Sequence, residues 1–124
     1  MGKTRKEAED YYTPPTQPLL DWRPYLGGET WREFYLRVAR CMERITKFDD
    51  SLLIVCHGGT VVNVLVWWLR VPIENLSDIT FVTNNTGITI LIETKLGQRA
   101  VERHNDVAHL NAESIAPSFP NISK

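Results

Sequence analysis

The sequence predicts an α/β fold, and three observations predict it. An amphipathic helix pattern starts at Thr30. A continuous apolar run, Ser51 to Cys56, leads through His57-Gly58-Gly59 into a second apolar run, Thr60 to Leu69. An alternating stretch, Asn85 to Thr94, is followed by a short turn and a return segment, Arg99 to His104. Helical and strand periods in one chain of 124 residues suit a single mixed domain.

The helix is the best defined element. Thr30 is a strong N-cap, and Glu33 stands three residues on, where it completes a capping box. Trp31, Phe34, Tyr35, Val38, Ala39, Met42 and Ile45 recur at helical spacing, with Arg32, Arg37, Arg40, Glu43 and Arg44 mostly opposite. The helix ends near Lys47. Ser51 to Cys56 is partly β-branched and uninterrupted, which predicts a strand buried on both faces, as in a parallel sheet. Thr60 to Leu69 is apolar almost all round, and its length favours a buried helix that Pro72 stops. The Lys95–Gln98 turn makes the last two strands a hairpin. Residues 1–28 carry Pro14, Pro15, Pro18 and Pro24 and hold no sustained period, so they are expected to be irregular. Residues 111–124, with Pro117 and Pro120, are expected to form a flexible tail.

Charge and composition narrow the function. Hydrophobic residues make up 43% and charged residues 23%, and the net charge is −1. There is no global field to draw nucleic acid or an anionic membrane. No apolar run is long enough to span a bilayer, and the basic N-terminus lacks the apolar core of a signal peptide. Cys41 and Cys56 have no paired spacing and read as free thiols of a reducing, cytoplasmic compartment.

A strand that ends in His-Gly-Gly and feeds a helix puts its last residues where open α/β sheets bind ligands. The helix start offers unpaired N–H groups and a positive dipole end. Gly58 and Gly59 allow close approach to the backbone, and His57 shares that space. These parts suit a phosphate or another small oxyanion. The alternative is a strand-end histidine with a structural role. No Gly-Lys-Ser/Thr follows, so this is not a P-loop, and the third glycine of a dinucleotide fingerprint is missing. His104 and His109 are five residues apart, which does not stack two metal ligands on one helical face. They read as residues that pin the chain end, and no metal or cofactor is expected.

"LLIVCHGGTVVNVL", "NNTGITILIE" and "HNDVAHL" occur in the order and rough spacing of the histidine phosphatase superfamily, the phosphoglycerate mutase-like proteins. "LGGETWREFYLRV" resembles the Gly-Glu-Ser/Thr segment and helix that precede them there. The resemblance covers about Leu26 to Leu110. It implies a three-layer α/β/α fold and a reaction in which a histidine of an Arg-His-Gly segment attacks a phosphoryl group. His57 matches the family's second, phosphate-holding histidine, and Gly58 its helix-end donor. No Arg-His-Gly occurs in this sequence, and His104 and His109 both follow His57. By this resemblance residues 29–110 are the C-terminal half of such a domain, truncated, with a mixed sheet missing its N-terminal strands. Cys56, Gly87 and Val62 or Asn63 depart from the family's usual residues, Gly87 standing where a common version has Ser.

The expectation is a phosphomonoester hydrolase family member, inactive as these residues alone. A phosphoglycerate mutase-type phosphotransferase and a non-catalytic anion-binding or dimerising remnant are the alternatives. The expected catalytic residue is His57, and the phosphate-binding set is His57, Gly58 and Gly59. The expected partner is a phosphorylated small molecule or phosphate, with no nucleic acid and no membrane. A homodimer through an exposed sheet edge is a further expectation.

Overall fold

The computed structural model describes residues 2–48 and 51–110. Helices and strands are mixed, as the α/β expectation has it, in the order α1 (Arg5–Glu9), α2 (Trp31–Ile45), α3 (Gly58–Trp68), β1 (Ile88–Glu93) and β2 (Arg99–Asp106). The chain divides into two compact units, Met1–Asp50 with Val71–Ile79, and Ser51–Arg70 with Thr80–Lys124.

The first unit is organised by α2. Thr30 caps it: its side chain accepts the Glu33 N–H, and the Glu33 carboxylate returns to the Thr30 N–H. Val38, Ala39 and Met42 are buried on the apolar stripe. Leu20, in the short 3-10 turn Leu19–Asp21, and Leu76, in a second one at Ile73–Ser77, are buried in the same unit. The Leu20 N–H donates to Ser77 Oγ at 3.1 Å and fixes one turn against the other. On the polar side, Arg32 grips Asp21 with two nitrogens at 2.8 and 3.3 Å, and Arg37 grips Glu29 at 2.8 and 2.9 Å. Arg23 pairs with Glu33 at 2.6 Å. Hydrogen bonds from these arginines hold the Asp21, Glu29 and Glu33 carboxyls below their ordinary range. Such exposed pairs add little stability each.

Residues 1–28 differ from the irregular segment expected. Thr4 and Glu7 form a capping box on α1. Tyr12 and Tyr25 form an antiparallel bridge, and edge-on contacts join Tyr12 to Trp22 and to Tyr25. The prolines bar a long period, but a one-turn helix and an aromatic cluster need none. Residues 111–124, the expected tail, lie outside the described residues.

The second unit contains α3 and the hairpin. β1 and β2 pair antiparallel, and among the described residues they are the only strands in a sheet. Their register slips between Ile88 and Ile90, and again between Ile90 and Leu91. The first slip opposes two residues of β1 with three of β2, a bulge that takes up Asn105 at φ 53°. Asn tolerates this left-handed conformation better than most residues.

The strand expected at Ser51 to Cys56 is not formed, and its burial is not observed. A strand needs a hydrogen-bonded neighbour, and among the described residues none is supplied. Leu52, Leu53, Ile54 and Val55 are 48, 90, 42 and 91% exposed. The parallel or mixed sheet expected around this segment is therefore replaced, among the described residues, by the two-stranded antiparallel one.

The Thr83 hydroxyl is buried with no hydrogen-bond partner among the described residues. An unsatisfied buried hydroxyl costs stability that an isosteric methyl does not. Thr83→Val is therefore expected to raise stability by about 1 kcal/mol. Urea unfolding with an unchanged slope checks it. A lowered midpoint would mean that the hydroxyl has a partner in solution.

Candidate oxyanion site at the start of α3

The site is built by where α3 begins. His57 is its N-cap, with extended backbone at φ −85° and ψ 163°. The His57 carbonyl accepts the N–H groups of Thr60 (3.0 Å) and Val61 (3.2 Å). Gly58 and Gly59, the first two helical residues, thus have N–H groups with no acceptor inside the helix. The His57 side chain makes no capping bond, and the residue is exposed. No acidic residue stands in the first turn to compete for these donors. The three residues singled out from the sequence are thus consecutive at one helix end. The helix starts two residues earlier than the apolar run suggested, because the glycines are its first turn and not a loop before it.

The rest of α3 seats this end. Val62, Asn63, Val64, Leu65 and Val66 are buried. Its C-terminus is clamped by Arg99. The guanidinium lies 4.8 Å from the Trp67 and Trp68 ring centroids, and Nη1 reaches the Trp67 and Trp68 carbonyls at 3.4 and 3.3 Å. A cation there complements the negative end of the helix dipole. Trp68 Nε1 donates to the Ala100 carbonyl at 3.0 Å. Arg70 follows at φ 55°, and Pro72 bars a further turn. The two tryptophans tie the hairpin to α3. Nothing local in the sequence marks Arg99 as their partner.

Cys56 was expected to be buried. It is exposed, and partial burial of the thiol still raises its pKa, which leaves it a poor nucleophile. Cys41 is also a free, exposed thiol.

His104 lies in β2, as the return strand Arg99 to His104 has it. Its Nε2 is 2.8 Å from the Val82 carbonyl, which only accepts, so Nε2 carries a hydrogen. Its Nδ1 is 3.2 Å from Thr89 Oγ1. His109 Nε2 stands 3.3 Å from Thr86 Oγ1. His104 thus ties together the residues on either side of the turn Asn84–Gly87, and His109 meets Thr86 within it. Among the described residues no group of three or more His, Cys, Asp or Glu is placed to hold a metal ion. No described helix is long and apolar enough to cross a membrane.

The residues that sequence reading missed are at that turn. The Asn84 N–H donates to Asn105 Oδ1 at 2.8 Å, and Asn105 Nδ2 donates to Asn84 Oδ1 at 2.7 Å. The Gly87 N–H closes the turn on the Asn84 carbonyl at 3.0 Å. Thr86 is held at φ 60°, unusual for a β-branched residue.

In this α/β chain His57 and two amides without intrahelical acceptors thus lie together at one helix start. The chain belongs to the histidine phosphatase superfamily (branch 1), whose family model matches residues 1–107. That match takes in residues 1–25, which the motif resemblance left out. No curated protein and no solved structure matched the chain.

Proposed function

We propose that this chain binds the phosphoryl group of a phosphomonoester, at His57 and the N–H groups of Gly58 and Gly59, as part of a hydrolase that works through phosphohistidine. The observation that carries the reading is the N-cap geometry. The His57 side chain is exposed and uncommitted to the helix, beside two amides without intrahelical acceptors. Family membership supplies the chemistry. A nucleophilic imidazole attacks phosphorus, the leaving oxygen takes a proton, and water then releases phosphate from the phosphohistidine. His57 and the helix end hold the non-bridging oxygens as charge moves onto them.

None of the 124 residues forms the Arg-His-Gly that carries the nucleophile in this family. The reading therefore assigns these residues the binding half of the site, residues 29–110 the C-terminal half of the domain, and turnover to the half that bears Arg-His-Gly. Each missing charge-stabilising donor is worth ~10²–10³ in rate. Losing the nucleophile and the arginines together leaves turnover near background. Hydrolysis is favoured over mutase-type transfer because water is the only acceptor it needs. The free thiols fit a reducing, cytoplasmic setting.

Titrating inorganic phosphate into the ¹⁵N-labelled chain tests this. The Gly58 and Gly59 amides are expected to shift, and His57→Ala is expected to weaken binding about tenfold, the worth of one charged hydrogen bond. Hydrolysis of p-nitrophenyl phosphate is expected at the background rate. Unmoved glycine amides would refute the site. Turnover that His57→Ala abolishes would refute the division into a binding and a reacting half.

A further inference from the structure

We propose that Thr86 and His109 form a nucleophile–base pair that takes the acyl group from a carboxylic ester with a good leaving group and passes it to water.

The first support is the pair itself. Thr86 Oγ1 stands 3.3 Å from His109 Nε2, and both residues are exposed. With its hydrogen on Nδ1, the imidazole accepts the Thr86 hydroxyl at Nε2. A hydroxyl is a weak nucleophile until a base in hydrogen-bond reach takes its proton. A carboxylate stands near that base. The Ala108 N–H and the Arg103 guanidinium hold the Asp106 carboxyl below its ordinary range, and the His109 charge lowers it further. The same attraction favours the imidazolium that forms when Nε2 takes a proton.

The second support is how Thr86 is held. The Gly87 N–H closes the turn on the Asn84 carbonyl, and Thr86 is third in that turn at φ 60°. The position ordinarily takes Gly or Asn, and a β-branched residue there is under backbone strain. Neither of the ordinary residues carries a hydroxyl. The reciprocal bonds between Asn84 and Asn105 fix the turn in spite of the strain. Strain that surrounding bonds hold in place is a mark of residues that act on ligands. The Thr86 N–H has no backbone acceptor among the described residues, and it adjoins the attacking oxygen. One such donor for the developing oxyanion suits an ester with a good leaving group and not an amide.

The step balances with one ester and one water. Thr86 Oγ1 attacks the carbonyl carbon as Nε2 takes the hydroxyl proton. The bond to the leaving oxygen breaks, and that oxygen departs with the proton from Nε2. The acyl group stays on Thr86 as an ester. Water then attacks this ester and gives a proton to Nε2, and the Thr86 oxygen leaves and regains it. The products are the free acid and the alcohol.

Release of p-nitrophenol from p-nitrophenyl acetate by the full chain tests the proposal. The same chain unfolded in urea keeps its three imidazoles and supplies the background. The folded chain is expected to exceed that background ~10²-fold or more, the low end for a positioned base. Acid-quenched samples are expected to carry the acetyl group on Thr86 by peptide mass. Thr86→Val, which keeps the β-branch, and His109→Gln are each expected to fall to the background with the helical circular dichroism unchanged. Thr86→Ser is expected to stay active and to be acetylated at position 86. A folded chain no faster than the unfolded one overturns the proposal. So does an acetyl group found only on other residues, a rate that Thr86→Val or His109→Gln leaves intact, or activity that Thr86→Ser fails to retain.

Discussion

Leu65→Ala is expected to lower the free energy of opening α3 by about 3 kcal/mol, within the ~2–5 kcal/mol usual for a buried leucine. Leu65 is 1% exposed, and Val66 beside it is fully buried. Truncation removes three buried carbons and leaves a cavity that rigid neighbours fill only in part. In a domain whose whole stability is of order 5–15 kcal/mol, a loss of that size is large. The same substitution at Leu96, 86% exposed in the hairpin turn, is expected to cost no more than ~0.5 kcal/mol. Hydrogen exchange of the α3 amides reads the local opening, and urea unfolding reads the global one. The consequence reaches the proposed site, since the Gly58 and Gly59 N–H groups lie side by side at the helix end only while α3 is helical. Phosphate binding in Leu65→Ala is therefore expected to weaken only by the fraction of chains in which α3 is open. A difference between the Leu65 and Leu96 substitutions below about 1 kcal/mol would show that α3 is not seated by its buried face.

What was legible in the sequence was local chemistry. The Thr30–Glu33 capping box is written in two residues three apart, and it forms as read. The alternation of Ile88–Glu93 and the turn after it place the hairpin without help from the rest of the chain. The same capping logic stood at Thr4 and Glu7, where it was obscured by the prolines that follow. What was not legible depends on partners. The apolar run Ser51 to Cys56 reports what those side chains prefer, and a strand forms only when another strand meets it. The segment therefore combines the composition of a core strand with the exposure of an edge. His57-Gly58-Gly59 was legible as a candidate because residue type and order alone state it. The Arg99 clamp on Trp67 and Trp68 was not, since thirty residues separate the partners and any surface arginine reads alike.

Gly87→Ala is expected to cost about 2–3 kcal/mol, and the cause is space and not backbone conformation. A Cβ at Gly87 would lie well inside van der Waals contact of Asn105 Oδ1, and 3.1 Å from the Asn84 carbonyl oxygen. A flexible side chain would move aside cheaply. Asn105 is not free to do so, because its carboxamide makes reciprocal bonds with the Asn84 N–H and Asn84 Oδ1. Displacing it breaks two part-buried hydrogen bonds, each worth about 1 kcal/mol, and releases the turn that holds Thr86 at positive φ. Gly87→Ser, which recreates the Asn-Thr-Ser form common in the family, meets the same obstruction. A change toward the serine of that version is thus expected to destabilise this chain. The control is Asn105→Gly, which gives up the two bonds but suits φ 53°. In that background the obstructing carboxamide is gone, and Gly87→Ala is expected to cost under ~1 kcal/mol. The double-mutant cycle should return a coupling of about 1.5–2 kcal/mol, within the ~0.5–3 kcal/mol found for residues in direct contact. A coupling near zero would mean that glycine is needed at position 87 for some reason other than Asn105, and that the Asn84–Asn105 lock does not set the shape of this turn.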